Sequence, residues 1–434
     1  MLSRLLFKPV DNSALIVFRI CFGLLITLES WGAIATGWVK RVLVEPEFTF
    51  NFIGLDVLQY LQGPLMYAWF VVMGIFGIGV MLGYKYRFSI IGFTLFWLVA
   101  YLMQKSAYNN HYYLLVLLNL MMCIMPAHKY KSLDVKQNQS LKSLVMPNWV
   151  NILIITQLAI VYTYAALAKL YPDWLNAEVI AIFMQSKANY FLIGELLQQK
   201  WVHYGMAYFG IFFDLLIVPL LLWSKTRKFA FGISLFFHLF NSIVFQIGIF
   251  PYMSLAFTVF FFPVEVIRTR FLPRKPSLRQ VKPTKVFPVK PFLVVGLALW
   301  TLVQVILPVR HHFINSDVFW SEEGHRMSWR MMLRAKSSFV RFKIKDLDTQ
   351  EQRYVNLDDY LTKKQQRSLG KPDVFWQFVQ HLKHNFAEQN IAIYATAWVK
   401  LNHHARRYLV SPDLDLTSIK WQPFKTNDWL LLKD

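Results

Sequence analysis

A lysine, Lys169, closes an otherwise apolar run in the stretch "YTYAALAKLYPDW", Tyr162 to Trp174. An amine in a dry apolar setting loses its proton more readily than in water, so a lysine at such a place is a candidate base. Two further polar groups interrupt apolar runs. "KSAYNNHYYL" brings Asn109, Asn110 and His111 together, and "FHLFNSIVFQIGIF" carries His238 and Asn241. Depth follows from the helical rise. Lys169 is 20 residues past Trp149, about 30 Å from the inner boundary of a straight span. His238 and Asn241 are 10 and 13 residues past Lys228, about 15 and 20 Å deep. These groups converge on the outer half of a bilayer, and ionisable groups in spans mark function by default. A second reading of Lys169 stays open, an interfacial lysine whose head reaches back to water. Arg19 and Asp214 fall nearer the inner surface and are expected to form a structural ion pair between helices.

Other chemistries leave no trace. The chain lacks HExxH, CxxC, Walker and GxSxG motifs, so no metal is expected. The adjacent pairs His311-His312 and His403-His404 cannot both aim at one ion from a regular element, and they read as polar surface. Cys21 and Cys123 lie inside apolar runs and read as small buried hydrophobes.

The elements that must position these groups are membrane helices. The 434 residues are 56% apolar, beyond what one soluble core hides. The net charge of +21 sits between the apolar runs, a loop pattern rather than a nucleic-acid face. The runs are Ser13–Trp38, Leu65–Gly83, Ser89–Met103, His111–Pro126, Trp149–Lys169, Trp201–Trp223, Phe229–Ile247, Tyr252–Phe262 and Phe287–Leu307. "IFPYM", Ile249 to Met253, reads as a break lining a cavity. The first run has no cleavage site behind it and reads as a retained span. Loops on the N-terminal side carry 18 Lys and Arg, Arg279, Lys282 and Lys285 among them, against five on the other. This places the N-terminus in the cytoplasm, and the sequon Asn138-Gln139-Ser140 with it, unglycosylated. From Pro308 the pattern changes. "SFVRFKIKDL" and "IAIYATAWVKL" read as strands, with an amphipathic helix "PDVFWQFVQHLKHNF" between them. The expected architecture is a multi-pass all-α membrane domain of about nine spans, residues 1–308, followed by a smaller extracytoplasmic α+β domain, residues 309–434.

Several stretches resemble the vitamin K-dependent γ-glutamyl carboxylases and their bacterial relatives, whose shared membrane region is the horizontally transferred transmembrane (HTTM) domain. "SALIVFRICFGLLITLE" resembles the family's first span. "YNNHYYL" is similar to its Trp-Asn-Asn-His-x-Tyr-Leu turn, and "AKLYPDW" to its Lys-Lys-Leu-x-x-Asp-Trp segment. "FHLFNSIVFQIGIFPYM" resembles its Phe-His-x-x-Asn-Ser-x-x-Phe-x-Ile-Gly-x-Phe motif, and "SWRMM", Ser328 to Met332, its Ser-Trp-Asp-Met-Met. The resemblance implies a lyase that couples epoxidation of a reduced vitamin K-type quinol, of the phylloquinol or menaquinol type, by O2 to capture of CO2 by glutamyl residues of an exported peptide or protein. It implies that Lys169 deprotonates the quinol and generates, through oxygenation, an alkoxide that takes the glutamyl γ-proton. His111 would be catalytic with it, orienting quinol oxygens or stabilising charge. Asn109, Asn110, His238, Asn241, Met331 and Met332 would bind the quinol, and His325, Trp329 and Arg334 the glutamyl substrate. A bacterial inner membrane is the implied location. The sequence departs from the family at Ala168, where the first lysine of the pair stands, and at Arg330, where an aspartate stands. It also ends well before the animal enzymes do, so their inter-domain disulfide and much of their substrate-tethering surface are expected to be missing. Two other readings remain open, a quinol epoxidase without carboxylation and a non-enzymatic membrane transporter or anchor.

Overall fold

The computed structural model describes residues 2–278 and 287–432. Arg279, Lys282 and Lys285 of the basic loop lie outside the described residues. The helices that carry the architecture are α1 (Ser13–Ala35), α2 (Leu65–Leu82), α3 (Tyr86–Met103), α4 (Asn110–Ile124), α5 (Trp149–Leu167), α6 (Lys200–Leu222), α7 (Arg227–Val244), α8 (Phe250–Phe257), α9 (Val264–Phe271) and α10 (Pro291–Val309). Among the described residues six of them, α1, α2, α3, α5, α6 and α10, are long and apolar enough to cross a membrane. The pair α8 and α9, bent by 119° at a short break, adds a seventh if taken as one span. The remaining two of the nine expected runs fall short for different reasons. Helix α4 has only 15 residues. Helix α7 has 18, but Arg227, Lys228, His238 and Asn241 dilute its apolar character.

Close packing of small residues holds the bundle. A Cβ on Gly23 would stand 2.3 Å from the backbone nitrogen of Met81, and one on Gly77 would stand 2.4 Å from Thr27 Oγ1. Only glycine lets α1 and α2 approach this closely, and backbone proximity replaces the hydrophobic drive that lipid cannot supply. Thr27 satisfies its hydroxyl within α1 by donating to Gly23 O at 2.7 Å.

The loops sort onto two ends. At one end β1 (Pro9–Asp11) pairs antiparallel with β2 (Val145–Pro147). Lys275 Nζ meets Asp11 Oδ1 at 2.5 Å there, and the Asp134 carboxylate accepts from the backbone N–H groups of Lys85 and Tyr86. Arg19 also belongs to this end. It donates to Lys131 O at 2.7 Å and Ala127 O at 3.3 Å, so it braces the loop after α4 and does not pair with Asp214 as expected. A guanidinium presents five donors in a fan, and the open carbonyls of a turn satisfy more of them than one carboxylate would.

The C-terminal unit sits at the opposite end. Its sheet runs β4 (Gln352–Tyr354), β3 (Lys336–Asp346), β5 (Ile391–Leu401), β6 (Arg407–Tyr408), all antiparallel. Val340, Phe342 and Ile344 alternate inward on β3, opposite Ala397, Ala395 and Ile393 on β5. Helix α11 (Pro372–Asn385) lays Val374, Phe375, Phe378, Val379 and Leu382 on that face. Phe48 and Phe50, from the loop after α1, enter the same core. A buried ionic clamp completes the junction. Asp373, in the first turn of α11, receives both Arg326 (2.7 Å) and Lys105 (3.0 Å). Burial opposes charge on Asp373, but Arg326 and Lys105 outweigh it and hold the carboxyl well below the usual range. Burial pulls the Lys105 amine down to about 8 in spite of its partner.

Candidate active site

Lys169 lies just beyond the last turn of α5, where a helical side chain leans back toward its own N-terminus. Its Nζ donates to Ala165 O at 3.0 Å and meets Asp214 Oδ2, on α6, at 2.5 Å. The two side chains are 9% and 7% exposed, so the amine is inside the protein rather than extended along its surface. The Trp174 ring lies 5.5 Å away and closes one side.

The pair borders a cavity of about 390 Å3. His238, on α7, brings Nε2 to 3.1 Å from the Tyr162 hydroxyl. Its Nδ1 is buried without a hydrogen-bond partner. His111, in the first turn of α4, stacks on Phe250 with ring centroids 4.1 Å apart. Asn241, Met331 and Met332 complete the polar and soft parts of the lining, and Trp201, Phe209, Phe236, Phe237 and Phe240 are among the residues of its apolar wall. The chain leaves helix at Val244 and resumes at Phe250. The break therefore lies at 245–249, earlier than "IFPYM" suggested. Pro251 occupies the first turn of α8, where no backbone donor is needed. Phe245 and Ile247 of this break line the cavity, as irregular backbone at membrane depth should.

The structure thus brings His111, His238, Asn241, Met331 and Met332 to one cavity with Lys169. It places the other expected residues elsewhere. Asn109 caps α4, its side chain accepting from Tyr112 N at 2.8 Å, and it lines a neighbouring chamber. Asn110 is turned away from the cavity. It accepts from the Tyr108 hydroxyl and donates to Arg330 O at 2.9 Å. Together with Tyr108, whose hydroxyl accepts from Met327 N, it holds the segment around "SWRMM". That segment needs holding, because Met327, Trp329 and Met332 all have positive φ, at roughly 1–3 kcal/mol each for non-glycine residues. The strain delivers Met331 and Met332 to the cavity. Trp329 is fully buried beside Tyr113, outside the lining. Arg330 reaches His311 Nε2 at 2.6 Å and covers Phe319, so His311 has a specific partner as well. His404 likewise meets Asp173 at 3.0 Å.

His325 and Arg334 belong to a second buried cluster below that segment. Glu322 is paired with Arg334 and with Lys336, the latter at 3.1 Å. Burial opposes its charge, but Arg334 and Lys336 prevail and hold it well below the usual carboxylate range. Burial, then Arg334, takes the His325 imidazole well below the usual histidine range. Two residues escaped the sequence reading. Asp214 was assigned to Arg19, and Glu29 of α1, which lines the neighbouring chamber, was passed over. Both are acids in spans, which was one available signal. Among the described residues no group of three or more His, Cys, Asp or Glu side chains is placed to hold a metal ion.

Apolar helices enclosing a cavity with a buried amine–carboxylate pair, covered at one end by an α+β unit, define an integral membrane protein with an enzyme-like site. Comparison with known families agrees. The HTTM domain matches residues 7–265, and the lumenal domain of vitamin K-dependent gamma-carboxylase matches residues 289–434. The chain belongs to the vitamin K-dependent gamma-carboxylase family. No solved structure matches it.

Proposed function

We propose that this protein is an integral-membrane vitamin K-dependent gamma-carboxylase that couples epoxidation of a reduced vitamin K-type quinol by O2 to carboxylation of glutamyl residues with CO2. The observation that carries the reading is the Lys169–Asp214 pair, 2.5 Å apart, at the edge of a largely aromatic cavity inside the helical bundle. A flat two-oxygen ring with an isoprenoid tail fits such a lining, apolar over most of its surface with few polar groups. The partnerless Nδ1 of buried His238 is one of those groups, because a buried nitrogen without a partner favours a ligand that supplies one. When bound, the quinol supplies the exergonic oxidation that makes γ-proton abstraction from glutamate feasible.

The chain's residues then do the following. Lys169 Nζ takes a proton from the ligand and Asp214 Oδ2 takes it over, a transfer across 2.5 Å that moves charge no further than the pair. His111 and His238 orient oxygen atoms, and Met331 and Met332 close the cavity toward the C-terminal unit, excluding water that would quench a strong base. The nine-span topology with a cytoplasmic N-terminus is part of this proposal. It draws on the basic loops and on the position of the C-terminal unit, at the end of the bundle opposite β1 and β2. That end is where an exported glutamate-containing substrate arrives. The test is a reconstituted assay with vitamin K hydroquinone, O2 and labelled CO2. Epoxide together with label in a glutamyl peptide is the expected result. Epoxide alone would reduce the function to quinol oxidation, and neither product would remove the enzymatic reading.

A further inference from the structure

Behind His111 lies a second chamber of about 340 Å3. It shares His111, Phe250 and Met332 with the Lys169 cavity, so the stacked His111–Phe250 pair is a partition between the two. The far side of the partition carries Glu29, from the C-terminal third of α1. Its carboxyl lies within hydrogen-bonding reach of the Tyr112 hydroxyl, and among the described residues it forms no salt bridge. Gly248 faces the carboxyl, and a Cβ there would come within 3.8 Å of Oε2. A carboxyl without a counter-ion is a poor structural element inside a bundle, where such groups are rare and functional. On the near side the polar groups share the lining of the Lys169 cavity: Lys169 and Asp214 are 2.5 Å apart, Tyr162 and His238 3.1 Å apart, and His238 and His111 both pack against Phe250. The unpartnered Nδ1 of His238 leaves one position among them open to a bridging water.

We propose that these groups form a proton path and that Glu29 is its terminal acceptor. It rests on the reading of Lys169 as the base. The proton that Lys169 gives to Asp214 passes through Tyr162 and His238 to one ring nitrogen of His111, and the imidazole releases a proton from its other nitrogen to the Glu29 carboxylate. Only N–H and O–H bonds form and break, and nothing is oxidised or reduced. Glu29 gives the proton up to water before the next turnover, so the path resets the amine each time. Glu29, His111 and Tyr112 are the titratable groups in the chamber's lining, so they are the groups whose protonation the experiment must separate.

The test uses the whole protein in lipid nanodiscs. Infrared difference spectra on a pH step, with no quinol added, should show a protonated-carboxyl band that Glu29→Gln removes and Tyr112→Phe only displaces. In turnover, Glu29→Gln should lower kcat for epoxidation about ten-fold or more, within the range of a proton-transfer group. KM should stay unchanged and the solvent deuterium isotope effect should rise. Glu29→Asp, which keeps the carboxyl, should restore most of the rate, and it stands in for the glutamine variant if that one does not fold. A carboxyl band insensitive to Glu29→Gln, or a folded Glu29→Gln protein with wild-type rate and isotope effect, overturns the path. Should Lys169→Ala be inactive while Glu29→Gln is normal, the path alone falls. Should Lys169→Ala keep full epoxidation, the base reading falls and takes the path with it.

Discussion

Replacing Asp214 by asparagine tests the central pair with least disturbance, because the two side chains have the same shape and only the charge and one acceptor change. In the native protein the amine has two partners, Asp214 Oδ2 at 2.5 Å and Ala165 O at 3.0 Å. The variant leaves the amine only neutral acceptors, the Ala165 carbonyl and the amide oxygen. If Lys169 stayed an ammonium, the unpaired buried charge would cost about 3–5 kcal/mol. A lysine can avoid that cost by shedding its proton, so the loss of thermal stability should shrink as pH is raised. Catalysis has no such escape. Without a carboxylate to take the proton from Nζ, epoxidation should fall about 10²–10⁴-fold, the usual worth of a positioned proton acceptor. KM should change little, since the aromatic walls that bind the ligand are intact. The assay is epoxide formation in reconstituted vesicles, beside thermal unfolding of the same preparation from about pH 6 to 9, a window around neutrality where general bases work. The pair acts as a unit only if Asp214→Asn combined with Lys169→Ala is no slower than the worse single variant. A variant within about two-fold of wild type, or a double variant whose losses multiply, would refute the shared-proton mechanism.

Four further outcomes follow from the same structure. Lys169→Arg should be as inactive in epoxidation as Lys169→Ala, because a guanidinium stays protonated at accessible pH; substantial turnover would return Lys169 to an interfacial anchor. Asp373→Asn should destabilise the junction between the helical bundle and the C-terminal unit by about 3–5 kcal/mol, since it strands Lys105 and Arg326, as read by thermal unfolding. The same clamp predicts an acid limit. Asp373 titrates lower in the folded protein than its ordinary value of 3.8, so the unfolded chain binds the proton first. That stability is present above pH 3.8 and drains away below it, and unfolding that is flat across this range would count against the clamp. A reporter fused to the C-terminus should be active only when exported, and cytoplasmic activity would invert the orientation proposed for every site.

What the sequence made legible is what local pattern determines. Apolar runs mark the helices, alternation marks β3 and β5, and Pro372 marks the start of α11, because each signal lies within one element. Partner choice between elements has no such local signature. Counting the helical rise from run ends placed Lys169 about 30 Å and Asp214 about 14 Å from one common plane, and on that ladder Arg19 was the only cation at the right depth. The contact at 2.5 Å shows that the spans do not share a starting plane. The same assumption put Asn110 in the cavity, although a residue at the first turn of α4 can face either side, and the Arg330 carbonyl settled which. Two physical arguments were nevertheless available. A lysine past the end of a helix leans back by about a turn, into the bundle rather than out of it. An arginine needs several acceptors at once, so a single carboxylate deep in a span suits a lysine better. Applied together, they separate Arg19 from Asp214 and favour Lys169 as its partner, while the structure supplies the Ala127 and Lys131 carbonyls that take Arg19. For chains of this kind, asking how many acceptors each buried cation requires discriminates better than asking how deep it lies.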